Sequence, residues 1–359
     1  MTHSAGTVLF EDRFDGEASS QWAIRPISLI EDPEHGRVLH LKAGDPNAGL
    51  WLGWAGDDTW KNYRLEVEVL PLDKDGFLGL DFHVQSDAST CCNIHFQTAA
   101  EGGARLFEGC GRFDDTNTSW KLGPLSQRKA PVPEDGWLRL RLDAGDTVAN
   151  LFVGGESVFT IYDLPFASGG IRLWRYYGSG YYRNLRVTAI TDVEPILDDI
   201  WGSVLGPGVV RNWAVSRMLP QGFGSDDPIA AARAEDMGWR DVAVDRRGVV
   251  HVIGVDPVEY CRKGVVFAKA TVESPEESGR EFRLTYTDQL SVWLNGSSVF
   301  AGERRGWNDP GRSEEDGWGR LMPDQFGMEL PLVQGDNEIL VRLEVNEPLF
   351  GSGFWMRAV

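Results

Sequence analysis

Two short stretches carry the residue types best suited to chemistry. In Leu80-Asp81-Phe82-His83-Val84-Gln85 and in Asn93-Ile94-His95-Phe96-Gln97 the apolar residues fall at even positions. Asp81, His83 and Gln85 therefore share one strand face, and Asn93, His95 and Gln97 another. Pairing the strands symmetrically about the intervening loop sets Gln85 against Asn93, His83 against His95 and Asp81 against Gln97, which gathers six polar side chains on one sheet surface. Such a set can hold a metal, exchange protons as acid and base, hydrogen-bond sugar hydroxyls, or remain a solvated sheet face. Two imidazoles fall short of the three ligands a catalytic zinc takes, so the cofactor expectation is none or a divalent metal of unknown kind.

A second group is aromatic. If Ile171 and Leu173 point inward, Arg172, Trp174 and Tyr176 point the other way, beside Tyr177, Tyr181 and Tyr182. Aromatic faces stack on the C–H faces of pyranose rings while Arg, Asn, Gln and His satisfy hydroxyls, so this mixture suits a carbohydrate groove as well as it suits ordinary packing. Trp51 and Trp54 are further candidates. Trp307 and Arg312, in a charged loop after an Asn-Gly hairpin, are candidates for a rim contact or a plain loop.

Other chemistries find no support. The sequence has no Gly-x-Ser-x-Gly, Walker-type loop or His-Glu-x-x-His. Glu66 and Glu68 share a strand face, as a catalytic carboxylate pair would, but lack a third partner and read rather as solvated charges, and the pairs Asp57-Asp58 and Asp114-Asp115 as turns rather than calcium loops. Of the 4 cysteines, Cys91 and Cys92 are adjacent, and Cys110 and Cys261 lack framework or Cys-x-x-Cys spacing, so all read as reduced thiols.

The elements that must position these residues are strands. The chain has 359 residues with 42 Gly, 18 Pro and 14 Trp, which suits two domains of short strands and tight turns. Leu65, Val67 and Val69 alternate with Arg64, Glu66 and Glu68, and Leu138, Leu140 and Leu142 with Arg139 and Arg141. Later strands are expected over 265–272, 282–286, 290–294 and 339–345, and one helix over 229–237 behind a cap at Asp226 or Asp227. Similar hairpins turn at Gly154-Gly155 and Asn295-Gly296. The reading is all-β, two β-sandwich (jelly-roll) domains in tandem, over 1–191 and 209–359 with a linker at 192–208.

A net charge of −19 argues against nucleic acid, and no apolar run approaches a membrane span. The N-terminus shows no signal-peptide pattern, so the expected location is cytoplasmic, or secreted if the start has been trimmed.

Val8-Leu9-Phe10-Glu11-Asp12-Arg13-Phe14-Asp15-Gly16 with Trp22 behind it resembles the first strand of concanavalin A-like lectin and glucanase domains. Gly169-Gly170-Ile171-Arg172-Leu173-Trp174, then Tyr182-Arg183-Asn184-Leu185-Arg186-Val187, is similar to the end of the same domains, which include laminin G-like modules and the 3-keto-disaccharide hydrolase group. The Glu-x-Asp-x-x-Glu of the retaining glucanases is missing. From about residue 209 the chain resembles the galactose-binding-like jelly roll that serves family 2 glycoside hydrolases as a sugar-binding domain, on Val292-Trp293-Leu294-Asn295-Gly296, Val299-Phe300 and the strand after Gly335-Asp336-Asn337. These resemblances imply sugar-handling folds. Three functions stay open: a carbohydrate-binding protein, a glycoside-processing enzyme using His83, His95 and Asp81, and a structural or assembly module, with a homo-oligomer among the partners considered.

Overall fold

The computed structural model describes residues 3–22, 28–42, 51–73, 77–87, 90–99, 103–112, 118–121, 128–162, 164–176, 178–196, 208–245, 248–255, 262–304, 321, 325–346 and 352–359. Within these, side chains are left out at 51–53, 97–99, 103–112, 118–121, 128–129, 159, 176 and 253–254. The chain divides into two compact units, 1–114 with 126–198, and 199–359 with 115–125.

The strands up to residue 198 are β1 (Val8–Asp12), β2 (Leu29–Asp32), β3 (Gly36–Leu41), β4 (Trp51–Ala55), β5 (Tyr63–Pro71), β6 (Phe77–Val84), β7 (Thr90–Ala99), β8 (Gly103–Arg112), β9 (Thr118–Lys121), β10 (Arg128–Ala130), β11 (Leu138–Ala144), β12 (Val148–Val153), β13 (Glu156–Tyr162), β14 (Gly170–Tyr176) and β15 (Gly180–Ala189). One sheet runs β13-β12-β11-β5-β15-β3-β2 with β1 on β15, and a second runs β10-β8-β7-β6-β14-β4. Alternation decides which side chains lie between them. Leu65, Val67 and Val69 of β5 and Leu138, Leu140 and Leu142 of β11 are buried in one core with Leu78, Leu80, Phe82, Ile94, Phe96, Ile171 and Leu173 from the second sheet. Their charged companions pair on the outer face, Arg64 with Asp143 at 2.7 Å and Arg183 with Glu68 at 2.7 Å.

Local chemistry fixes the ends of this sandwich. The Asp12 carboxylate accepts from Phe14 N at 2.9 Å, Ser19 N at 2.8 Å and Trp22 Nε1 at 2.7 Å, which seats Phe14 and Trp22 in the core even though Phe14 takes a φ of 60°. At the other end, residues 192–196 lie against the first unit. Asn62 donates to Asp192, Asn150 donates to the Glu194 carbonyl, and Thr160 and Tyr162 donate to that of Ile196 at 2.7 and 3.1 Å.

The second unit adds β16 (Asn212–Val215), β17 (Arg240–Ala243), β18 (Val249–His251), β19 (Gly264–Ser274), β20 (Ser278–Tyr286), β21 (Gln289–Leu294), β22 (Ser297–Glu303), β23 (Phe326–Leu332), β24 (Gly335–Val345) and β25 (Gly353–Ala358). These form one sheet in the order β17-β16-β19-β24-β21-β22 and another in the order β18-β25-β20-β23, closed around Val266, Phe282, Leu284, Val292, Val341 and Phe354. The described residues are thus all-β in class, with two sandwich-like bodies. The hairpin between β21 and β22 turns on Asn295 and Gly296, both at positive φ, as an Asn-Gly turn requires. Two short helices accompany the strands, α1 (Pro228–Ala232) and α2 (Val252–Val255). Asp227 caps α1 as expected, but the helix stops five residues short of 237. Arg233 N closes onto Ala230 O, a tightened last turn, and none of the residues of α1 is buried to draw it further. Among the described residues no helix is long and apolar enough to cross a membrane.

Candidate functional site

The site is built on the outer face of four adjacent strands, β7-β6-β14-β4. Because Leu78, Leu80, Phe82, Cys92, Ile94, Phe96, Ile171, Leu173 and Ala55 fill the core, Gly79, Asp81, Asn93, His95, Arg172, Trp174 and Trp54 take the opposite face. Register arranges them in two rows across the strands. In the first, Trp54 pairs with Arg172, Arg172 with Asp81, and Asp81 with Asn93. In the second, Trp51 pairs with Trp174, Trp174 with Gly79, and Gly79 with His95. Four strands at the usual spacing make each row roughly 14 Å long.

An ion pair lies at the centre of the first row. Arg172 Nε donates to Asp81 Oδ2 at 2.5 Å and Nη2 to Cys91 Sγ at 3.3 Å, with side chains only 2% and 1% exposed at Arg172 and Asp81. Burial pushes the Asp81 carboxyl above its usual range, and the charge and hydrogen bond of Arg172 oppose that rise. The Trp174 indole and the Cys91 thiol also favour the carboxylate, yet neither completes a hydrogen bond to Oδ1. Asn93 is buried beside it, its Oδ1 3.4 Å from His95 Nδ1.

The second row is a platform. Trp174 is half-buried and its indole lies over Gly79, where a Cβ would run into the ring. A glycine inside a strand pattern is the device that permits such close approach. The His95 ring sits beside Trp174 at 5.7 Å and edge-on to Phe77 at 5.5 Å. Beneath this layer, Tyr182 of β15 crosses the core and donates to the Gly79 carbonyl at 3.1 Å, 3.3 Å from that of Trp174. Tyr63 of β5 does the same further along, its hydroxyl accepting from His83 N at 3.0 Å. Burial raises both phenols far above their ordinary range, so they stay protonated.

His83 departs from the expected arrangement. Gly170 pairs with Val84 and Ile171 with Phe82, so His83 is the extra residue of a β-bulge, at a φ of 48°. The bulge turns its ring off the outer face and into the interior, edge-on to Tyr63 at 5.6 Å and fully buried. Burial pushes its pKa down to about 4, against a smaller opposing effect of the Phe166 and Lys61 backbone. The expected facing of His83 and His95 is therefore not formed. Gln85 is also diverted, its Nε2 donating to the His83 and Ser168 carbonyls at 2.8 Å.

The hairpin register differs from the symmetric expectation as well. Asp81 pairs with Asn93 rather than Gln97, and His95 with Gly79. The shift is even, so the polar residues keep their face. Trp51, Gln97 and Tyr176 occupy strand positions here, but their side chains lie outside the described residues, as do Trp307 and Arg312 altogether. Among the described residues no group of three or more His, Cys, Asp or Glu side chains is placed to hold a metal ion. Sequence reasoning missed Gly79, Cys91 and Phe77. Of these only Gly79, a glycine amid Phe77, Leu78 and Leu80, carried a readable signal.

A separate open cavity of about 600 Å³ lies on the outer face of the other sheet, over Arg64, Glu66, Asp143 and Phe152 and beside the 188–196 segment. None of the candidate residues lines it, and its arginine is already held by both Asp143 oxygens at 2.7 and 2.9 Å.

No family model matches the sequence, and no curated protein matches it. Among solved structures the chain is similar to a carbohydrate-binding module from Bacillus subtilis, with 16% identity over 53% of this chain and 99% of that one and a TM-score of 0.31. A Bacillus subtilis protein of unknown function with a galectin-like fold gives 12% identity, 53% and 99% coverage and a TM-score of 0.35. A galectin from Caenorhabditis elegans gives 12% identity, 48% and 99% coverage and a TM-score of 0.27.

Proposed function

We propose that the chain binds carbohydrate on the outer face of β7-β6-β14-β4, without turning it over. The observation that carries this reading is the pairing of a half-exposed indole, Trp174 over Gly79, with the half-exposed polar ring of His95 at 5.7 Å beside it. A sugar ring needs both surfaces at once, an apolar face to stack on and fixed donors and acceptors for its hydroxyls. His95, braced by Trp174 and Phe77, supplies that polar group. Buried Asp81 and Arg172 hold each other in place, and Tyr182 ties the backbones of β6 and β14 together below, so the surface is preorganised.

The test is a calorimetric screen of the full chain against an oligosaccharide library, repeated with Trp174→Ala. Saccharide binding in the micromolar to millimolar range that falls at least tenfold in the variant is expected. Absence of any binding, or binding indifferent to Trp174, rejects the reading.

A further inference from the structure

The face carries two tryptophan seats made in the same way. Trp174 of β14 leans across to β6, where a Cβ on Gly79 would collide with its indole. Trp54 of β4 leans across to β14, where a Cβ on Gly170 would meet its Nε1 at 2.9 Å as well as the Ala55 carbonyl. In each case a glycine one strand over leaves room for the ring. Both side chains are half-exposed, yet both indole nitrogens are buried from solvent. What either side chain offers to solvent is therefore carbon.

The spacing of the seats sets the size of what they can hold. Gly170 and Trp174 stand four residues apart on β14, roughly 13 Å at the rise of a strand, and the seats are offset by one strand besides. Between them Arg172 and Asp81 close on each other and are only 2% and 1% exposed, so the middle of the face offers solvent little to bind. A single sugar ring cannot reach both indoles, whereas a run of linked rings can. Two such contacts on one ligand reinforce each other, because the second ring meets its indole at the effective concentration set by the first. Stacking on C–H faces then gains strength with chain length, without any further hydrogen bond from either indole.

We infer that this face takes oligosaccharide chains rather than single sugars, with Trp174 and Trp54 as two separate stacking subsites. The inference rests on the carbohydrate-binding reading above and names the ligand class within it.

The experiment is titration calorimetry of the full chain with cello-, xylo-, manno- and fructo-oligosaccharides of two to six units, on wild type, Trp54→Ala and Trp54→Tyr. In a series that binds, affinity is expected to rise about tenfold or more from the shortest member to the longest. Trp54→Ala is expected to cancel that rise, weakening the longest ligand about tenfold and the shortest far less. Trp54→Tyr, which keeps an aromatic face, is expected to retain most of it. If the alanine variant fails to fold, Trp54→Leu, which fills the seat without a flat ring, takes its place. Affinity independent of length, or a rise that survives loss of the Trp54 ring, overturns the inference while leaving carbohydrate binding intact. No binding by any ligand overturns the functional reading, and this inference with it.

Discussion

Gly79 and Trp174 are partners across β6 and β14, and the indole fills the space that any side chain at position 79 would need. The ring can therefore approach the β6 backbone this closely only because its neighbour has no Cβ.

Replacing that glycine tests the platform without touching a polar group. Gly79→Ala is expected to lift Trp174 from the sheet, costing about 1–3 kcal/mol in stability through overpacking and weakening saccharide binding at least tenfold. Denaturant unfolding and calorimetric titration measure the two effects. A variant that binds as wild type does would show that the seating of the indole on Gly79 is irrelevant to the ligand.

The Asp81–Arg172 pair predicts an asymmetry between single and double substitutions. Arg172→Met leaves a buried carboxylate uncompensated and is expected to cost about 3–5 kcal/mol, whereas Asp81→Leu combined with Arg172→Met recovers most of that loss. The single-variant deficit should also grow as pH rises above the carboxylate range, because the native carboxyl then keeps a proton that the unfolded chain releases. Unfolding free energies of the four proteins at pH 5 and pH 7.5 provide the measurement, and a fully additive cycle would contradict the coupling.

His83 predicts a pH dependence of opposite sense. Its folded pKa of about 4 lies below the unfolded value near 6.5, so between those limits the unfolded chain binds the extra proton. The stabilisation is complete above about pH 6.5 and is lost as pH falls toward about 4, amounting to on the order of 3 kcal/mol. Asn tolerates the left-handed backbone found there and does not titrate. His83→Asn should flatten this slope by about that amount when unfolding is followed from pH 7.5 to pH 4.5, and an unchanged slope would place the acid sensitivity elsewhere.

Much of the site was legible because side-chain parity survives an error in register. The symmetric pairing misplaced Asp81 and Asn93 relative to each other, yet every even shift leaves odd-numbered residues on the same face, so Asp81, Asn93 and His95 still share one side of the sheet. The same alternation placed Leu65, Val67 and Leu138 in the core. His83 was not legible because a bulge is decided by tertiary contacts. Here they are the Tyr63 hydroxyl on its N–H and the close backbone of Gly169, and histidine carries no turn signal of its own. Nor did the first strand show why Asp12 matters, since its three hydrogen bonds go to Phe14, Ser19 and Trp22, a loop whose shape the sequence does not spell out.

The charges at the middle of β6 and β14 also police assembly. If either strand slid past the other by one residue, an aspartate or an arginine would be driven among the leucines and phenylalanines of the interior; if it slid by two, each would face outward beside a stranger, stripped of water and of its counter-ion. Slipped pairings of these two strands are thus penalised more heavily than the native one, in which each buried charge keeps its counter-ion. The folding chain carries, in two residues, its own proofreading of how these strands line up.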